Sequence, residues 1–392
     1  MRKDIYGRRA RRRGDGGLKR RVTVEIDRAA LVANYRRIAS HVRPAKVLCV
    51  LKANAYGLGV SEYARTLAGA GCRAFGVAEP HEAIALKRIF RDMAKPPSVQ
   101  ILSSVLPDEI PAMVKSAVVL PVADLQSAAL ISRSAVKAGR RCEVHLKIDT
   151  GMGRLGIPAS DALDVAAEVF GMPGLDVTGI FSHCPMAYEP GDPFTAEQIA
   201  GFRAIVESAR RRGMKFRCIH IAASDAINNF PEAARAPFNW VRTGINLHGS
   251  FDPNGRRALE VEPVLTLKTR VAQVRKLPAG TTLGYGRTWK LKKDSLIATI
   301  SAGYADGLPL ALTNRGSVFI GGRRCPIVGR ISMDYTTVDI TGTKGVKSGD
   351  EVVCLGRCGD DSITPDDWAR LKDTHAYDII CSLGTRVKRV FV

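Results

Sequence analysis

The chain has 392 residues, enough for two ordinary domains or one barrel with an appendage. Its 45% hydrophobic content can build a real core, and no apolar run is long enough to suggest a membrane span. The formal charge of +21 raises nucleic acid as a partner, but ten Lys/Arg against Asp4 and Asp15 in Met1–Arg21 concentrate +8 of it at the start. This Gly/Arg-rich stretch, residues 1–21, is expected to be a disordered basic head. It has no apolar segment behind it, so it does not read as a secretory signal. No aromatic residue beyond Tyr6 interleaves its charges, so a solvated tail fits better than an RNA-binding surface. Nine scattered cysteines fit a reducing cytoplasm, and Cys354 and Cys358 read as ordinary thiols, with no metal expected.

Val22 to Asp27 alternates as a strand, and residues 28–40 carry helical spacing through Leu31, Tyr35 and Ile38. From Val47 to Leu247 short apolar runs alternate with helical patterns. The predicted strands are 47–51, 72–77, 99–102, 118–122, 142–148, 177–181, 216–221 and 240–247. That count predicts a (β/α)8 barrel at the small end of its range, with an open doubly wound sheet as the rival. After about Pro253 the helical patterns thin and short β-rich runs take over, with one helix at 365–371. The expected organisation is α/β: a barrel over 22–252, then a mostly-β domain over 253–392. The strand at 22–27 is a candidate to pair with that second domain.

The densest chemistry lies at Val47-Leu-Cys-Val-Leu-Lys52-Ala-Asn-Ala-Tyr56-Gly-Leu-Gly59. A buried strand runs into Lys52, which places the ammonium at the carboxyl edge of the sheet, where sites form in α/β folds. Partial desolvation there favours the neutral amine, which can form a Schiff base. A snorkelling surface lysine would look the same in isolation. Further on, Gly151-x-Gly153-x-x-Gly156 has dinucleotide-fingerprint spacing. Polar Lys147 and Asp149 precede it, however, and Pro158 falls where a helix should begin, so the fingerprint is a decoy.

Lys52-Ala-Asn-Ala-Tyr56-Gly-x-Gly resembles the cofactor-lysine motif of the alanine racemase family, and separated motifs resemble that family from Val22 to the end. The resemblance implies a barrel that binds pyridoxal 5'-phosphate (PLP), a following β domain, and a homodimer whose active sites are shared between subunits. It implies that Lys52 carries the cofactor and Tyr56 reaches its phosphate. Arg154 would bond the phenolic oxygen and lie near the substrate carboxylate; its planar fork suits that task. Lys147 matches a lysine carbamylated in some members, or is a plain lysine beside an acid. His183 would pack on the pyridine ring; Ser224, Gly244 and Ile245 would hold the phosphate; Arg242 would face the pyridine nitrogen. Tyr285, in Leu283-Gly-Tyr-Gly, matches the second catalytic base and would serve the partner's site, and Met333 would lie near the substrate carboxylate.

The implied function is interconversion of L- and D-alanine by two bases, Lys52 and Tyr285, supplying D-alanine for peptidoglycan. The alternatives are a broader amino acid racemase, for example one acting on serine, and a PLP decarboxylase of the same plan. Arg242 argues against the decarboxylase, which usually places an acid there. Thr385 stands where some members have tyrosine, and this departure predicts a roomier pocket.

Overall fold

The computed structural model describes residues 20–392. The basic head expected over 1–21 lies, apart from Arg20 and Arg21, outside the described residues. The first strand, β1 (Thr23–Ile26), buries Val24 and Ile26. Asp27 then caps α1 (Arg28–His41), its carboxylate accepting from Ala30 N at 2.9 Å.

Eight parallel strands follow: β2 (Lys46–Val50), β3 (Ala74–Val77), β4 (Ser98–Ile101), β5 (Leu120–Val122), β6 (Cys142–Asp149), β8 (Leu175–Phe181), β9 (Cys218–His220) and β10 (Trp240–Thr243). A two-residue strand, β7 (Ile157–Pro158), pairs beside the end of β6. Between them run α2 (Lys52–Tyr56), α3 (Val60–Gly69), α4 (Pro80–Ile89), α5 (Ile110–Lys115), α6 (Leu125–Lys137), α7 (Ala162–Gly171), α8 (Pro193–Arg211) and α9 (Ser224–Asn229). Hydrogen bonding orders the strands β10-β2-β3-β4 and β5-β6-β8-β9. The seams between these groups are bridged too. Ile101 N donates to Val119 O at 3.0 Å on one side, and Arg242 N donates to Ala222 O at 3.0 Å on the other. This cyclic order is that of an eight-stranded α/β barrel rather than an open doubly wound sheet.

The β-rich part comprises β11 (Leu265–Leu277), β12 (Thr282–Leu283), β13 (Trp289–Lys290), β14 (Ser295–Ile300), β15 (Ser317–Ile320) and β16 (Arg323–Pro326). It continues with β17 (Thr336–Asp339), β18 (Glu351–Cys358), β19 (Asp361–Ile363), α10 (Pro365–Lys372), α11 (Ala376–Cys381) and β20 (Lys388–Phe391). Strand β1 lies in this sheet, antiparallel to β11 and parallel to β20. The sequence pattern missed α11 and extended β10 through Gly244. The strand in fact stops at Thr243, and a 3-10 turn takes Ile245–His248.

Asn34 of α1 staples the two parts. Its amide donates to Leu247 O at 3.2 Å and Glu262 O at 2.7 Å, and its oxygen accepts from Glu262 N at 2.8 Å. Gly249 makes this approach possible: at φ +78, a Cβ there would stand 2.0 Å from Glu262 O.

Candidate active site

Strand β2 delivers Lys52 to the carboxyl end of the barrel, and the next four residues coil left-handed. Ala53, Asn54, Ala55 and Tyr56 have φ of 51, 57, 54 and 56. Such a run costs roughly 1–2 kcal/mol per L-residue and persists only where neighbours fix it. The Glu82 carboxylate accepts from Ala53 N, and Asn54 Oδ1 accepts from Val60 N at 2.9 Å. From the C-terminal strand, Arg389 Nε donates to Gly57 O at 2.9 Å. The turn sends both Lys52 and Tyr56 into one cavity of about 720 Å³. Solvent still reaches Lys52, but partial burial and then the Arg154 guanidinium lower its pKa, which favours a reactive neutral amine.

The wall from β6 and β8 carries buried Lys147, whose Nζ donates to Leu102 O at 2.8 Å and lies 5.6 Å from the Phe181 ring centre. Burial, then Arg154 and Arg242, push its pKa down to about 8. The glycine-rich loop beyond is folded on Asp149, whose Oδ1 accepts from the Gly151, Met152 and Gly153 amides at 2.9, 2.8 and 3.2 Å. These amides are spent on a side chain, so the loop is no pyrophosphate cradle. It instead brings Arg154 to the cavity wall.

Arg242 is buried in the floor. Its Nη2 donates to Ser182 O at 2.8 Å and Ile221 O at 2.9 Å, and its Nη1 meets His220 Nδ1 at 2.5 Å. An arginine can only donate, so His220 Nδ1 is the acceptor and Nε2 holds the proton. That tautomer matters for a nearby group. His145, Cys218 and His220 each bring a potential ligand atom within 4.8 Å of the others. With Nδ1 accepting from Arg242, His220 could ligate a metal through Nε2 only as an imidazolate, so the cluster does not suit one. His183, with Nδ1 3.2 Å from Arg242 Nη2, is held neutral; burial and then Arg242 push its pKa down to about 3.

Opposite lies a cradle for a phosphate. Gly244 N donates to Ser224 Oγ at 3.1 Å, and a Cβ on Gly244 would stand 2.1 Å from the Tyr56 hydroxyl. Tyr377, from α11, lines the cavity with Ser224 and lies 5.8 Å from Tyr56 between ring centres. A lysine, a buried guanidinium and this hydroxyl-lined notch fit a phosphorylated aldehyde cofactor.

Lys52, Tyr56, Lys147, Arg154, His183, Ser224, Arg242 and Gly244 thus converge on one cavity. Ile245 is fully buried next to Gly244 and does not line it. Tyr285 and Met333 lie elsewhere in this chain, on the surface of the β-rich part, 72% and 52% exposed. Thr385 is also exposed and outside the lining. Sequence reasoning missed Tyr377, His375, Asp225 and Asp252, all of which line the cavity. The apolar spacing of Ala376, Ile379 and Ile380, which bury α11, was the available signal.

The alanine racemase N-terminal domain model matches residues 26–252, and the C-terminal domain model matches residues 264–391. An alanine racemase of Symbiobacterium thermophilum is 34% identical over 94% of this chain and 96% of that protein. One from Chlorobaculum tepidum is 37% identical over 88% and 89%. Among solved structures, the alanine racemase of Streptomyces coelicolor superposes with a TM-score of 0.88 at 32% identity, covering 95% of this chain and 98% of that one. The Bartonella henselae alanine racemase, described with covalently bound pyridoxal phosphate, gives 0.84 at 29% identity over 95% and 99%. With both domain models matched in order across a barrel, a lysine-bearing cavity and a β-rich second part, the chain belongs to the alanine racemase family.

Proposed function

We propose that this chain is a PLP-dependent racemase that interconverts L- and D-alanine, working in the cytoplasm as a homodimer and supplying D-alanine for peptidoglycan. One observation carries the reading: Lys52, Arg154, Arg242 and the Ser224–Gly244–Tyr56 notch open on a single cavity at the carboxyl ends of the barrel strands.

Each residue then has a task. Ser224, Gly244, Tyr56 and the buried backbone at Ile245 hold the phosphate, and Tyr377 adds a hydroxyl. His183, neutral, offers a flat face to the ring. When bound, PLP supplies an electron-withdrawing ring that makes the Cα proton of the amino acid acidic. Arg242 tempers that pull, because a guanidinium keeps its own proton and leaves the ring nitrogen an acceptor. Arg154 orients the substrate carboxylate. Lys52, with its lowered pKa, takes or returns the Cα proton on one face. The opposite face needs a second group, and Tyr285 of the partner subunit fills that role, with Met333 of the partner subunit beside the carboxylate. The exposure of both side chains supports a function outside their own chain.

The test is loss of optical rotation from L-alanine by purified protein with PLP, beside Lys52→Ala. Loss without CO2 or pyruvate, abolished in the variant, is expected. Stoichiometric CO2 would instead make it a decarboxylase.

A further inference from the structure

Arg386 joins three segments that the sequence keeps far apart. Its Nε and Nη2 grip the buried Asp306 carboxylate at 2.7 and 2.8 Å, and its Nη1 reaches Asp334 Oδ1 at 2.7 Å. Asp306 Oδ2 also accepts from Gly303 N at 3.0 Å, which shapes the turn that displays Tyr304. That turn is zipped to the next loop: Tyr304 N donates to Ser332 O at 3.0 Å and Ala305 N to Met333 O at 3.1 Å. The fit leaves no slack. A Cβ on Gly303 would stand 2.2 Å from Ser332 O, and one on Gly384 would stand 2.1 Å from Ala305 O. The second loop in turn pairs, through Arg330, with Gly284, the neighbour of Tyr285. A bidentate fork on one carboxylate and a single bond to another fix direction as well as distance.

What this assembly presents is exposed: Tyr285, Met333 and Tyr304 are 72%, 52% and 44% accessible. We propose that Arg386 is a positioning residue that aims the Met333 and Tyr285 loops into the active site of the other subunit, and so sets substrate affinity there while touching neither substrate nor cofactor. This rests on the reading that each site takes Tyr285 and Met333 from its partner.

The test uses Arg386→Lys, which keeps the charge but loses the fork. Arg386→Lys is expected to raise KM for alanine about tenfold with a smaller change in kcat, as misplacement of a positioning group does. Asp334→Asn, which leaves the Asp306 arm intact, should raise KM less. Arg386→Lys subunits are then hybridised with excess Lys52→Ala subunits. In the hybrid, intact Lys52 faces an intact Arg386 clamp across the interface, so KM should return to the wild-type value. A parallel hybrid of Tyr285→Phe with Lys52→Ala tests the shared site itself. Recovery in the tyrosine hybrid but not in the arginine hybrid would overturn the role of Arg386. An unchanged KM in Arg386→Lys would overturn it as well. No recovery in either hybrid would overturn the shared-site reading.

Discussion

Two residues of the cavity make quantitative demands. Gly244 has no room for a side chain, because a Cβ would overlap the Tyr56 hydroxyl. Gly244→Ala should therefore push Tyr56 out of the notch and weaken phosphate binding about tenfold or more, roughly 1.4 kcal/mol or above. Equilibrium dialysis with pyridoxine 5'-phosphate, which cannot react with Lys52, isolates this contact; unchanged affinity would mean the notch does not hold the phosphate. Lys147 makes a pH-dependent demand. Its pKa near 8 leaves a substantial neutral fraction at pH 8 and little at pH 6. Because it binds fewer protons folded than unfolded between about pH 8 and its ordinary value, its contribution makes stability rise with pH across that window. A neutral amine beside Arg154 is also open to CO2. A carbamate carbon resonance should appear with 13C-bicarbonate at pH 8 and be missing from Lys147→Arg; its absence from both would leave Lys147 a plain amine.

At the scale of elements, the left-handed α2 is the piece that sequence patterns describe least well. The strand before it was legible from its apolar run, and so was the lysine at its end. Nothing in Ala53-Asn-Ala-Tyr demands positive φ, since local propensity opposes it; the turn exists because Glu82 and Arg389 bond it from other elements and its own Asn54 ties it to Val60. The same reason hid the start of α3. Asn54, six positions before Val60, accepts from the Val60 amide from inside the turn. Asn54→Ala should cost about 1 kcal/mol, the usual value of a lost cap, read as a lower urea midpoint. Cofactor capture by Lys52 should also slow, since the lysine begins the same turn. The barrel strands were legible because each is a buried run between turn residues. Tyr377 was not, because α11 is short and its role depends on folding back over the barrel mouth.

At the scale of the molecule, the site depends on a strand distant from it. β1 lies between β11 and β20, and β20 carries Arg389, whose guanidinium holds Gly57 O at the end of the Lys52 turn. Its side chains Val24 and Ile26 are fully buried, worth about 1.5–3 kcal/mol each. Removing residues 1–19 spares β1, so kcat and KM should stay at the full-length values. Removing residues 1–27 deletes the neighbour of β20 and should lower the thermal midpoint and loosen the cofactor together. Arg389→Ala separates the two effects: it leaves the β1–β20 pairing in place but frees Gly57 O, so cofactor affinity should fall with a smaller loss of stability. Wild-type retention of PLP by the 1–27 deletion would break the proposed line from β1 through Arg389 to Lys52. Loss of PLP in Arg389→Ala with an intact melting curve would place the coupling in that one guanidinium.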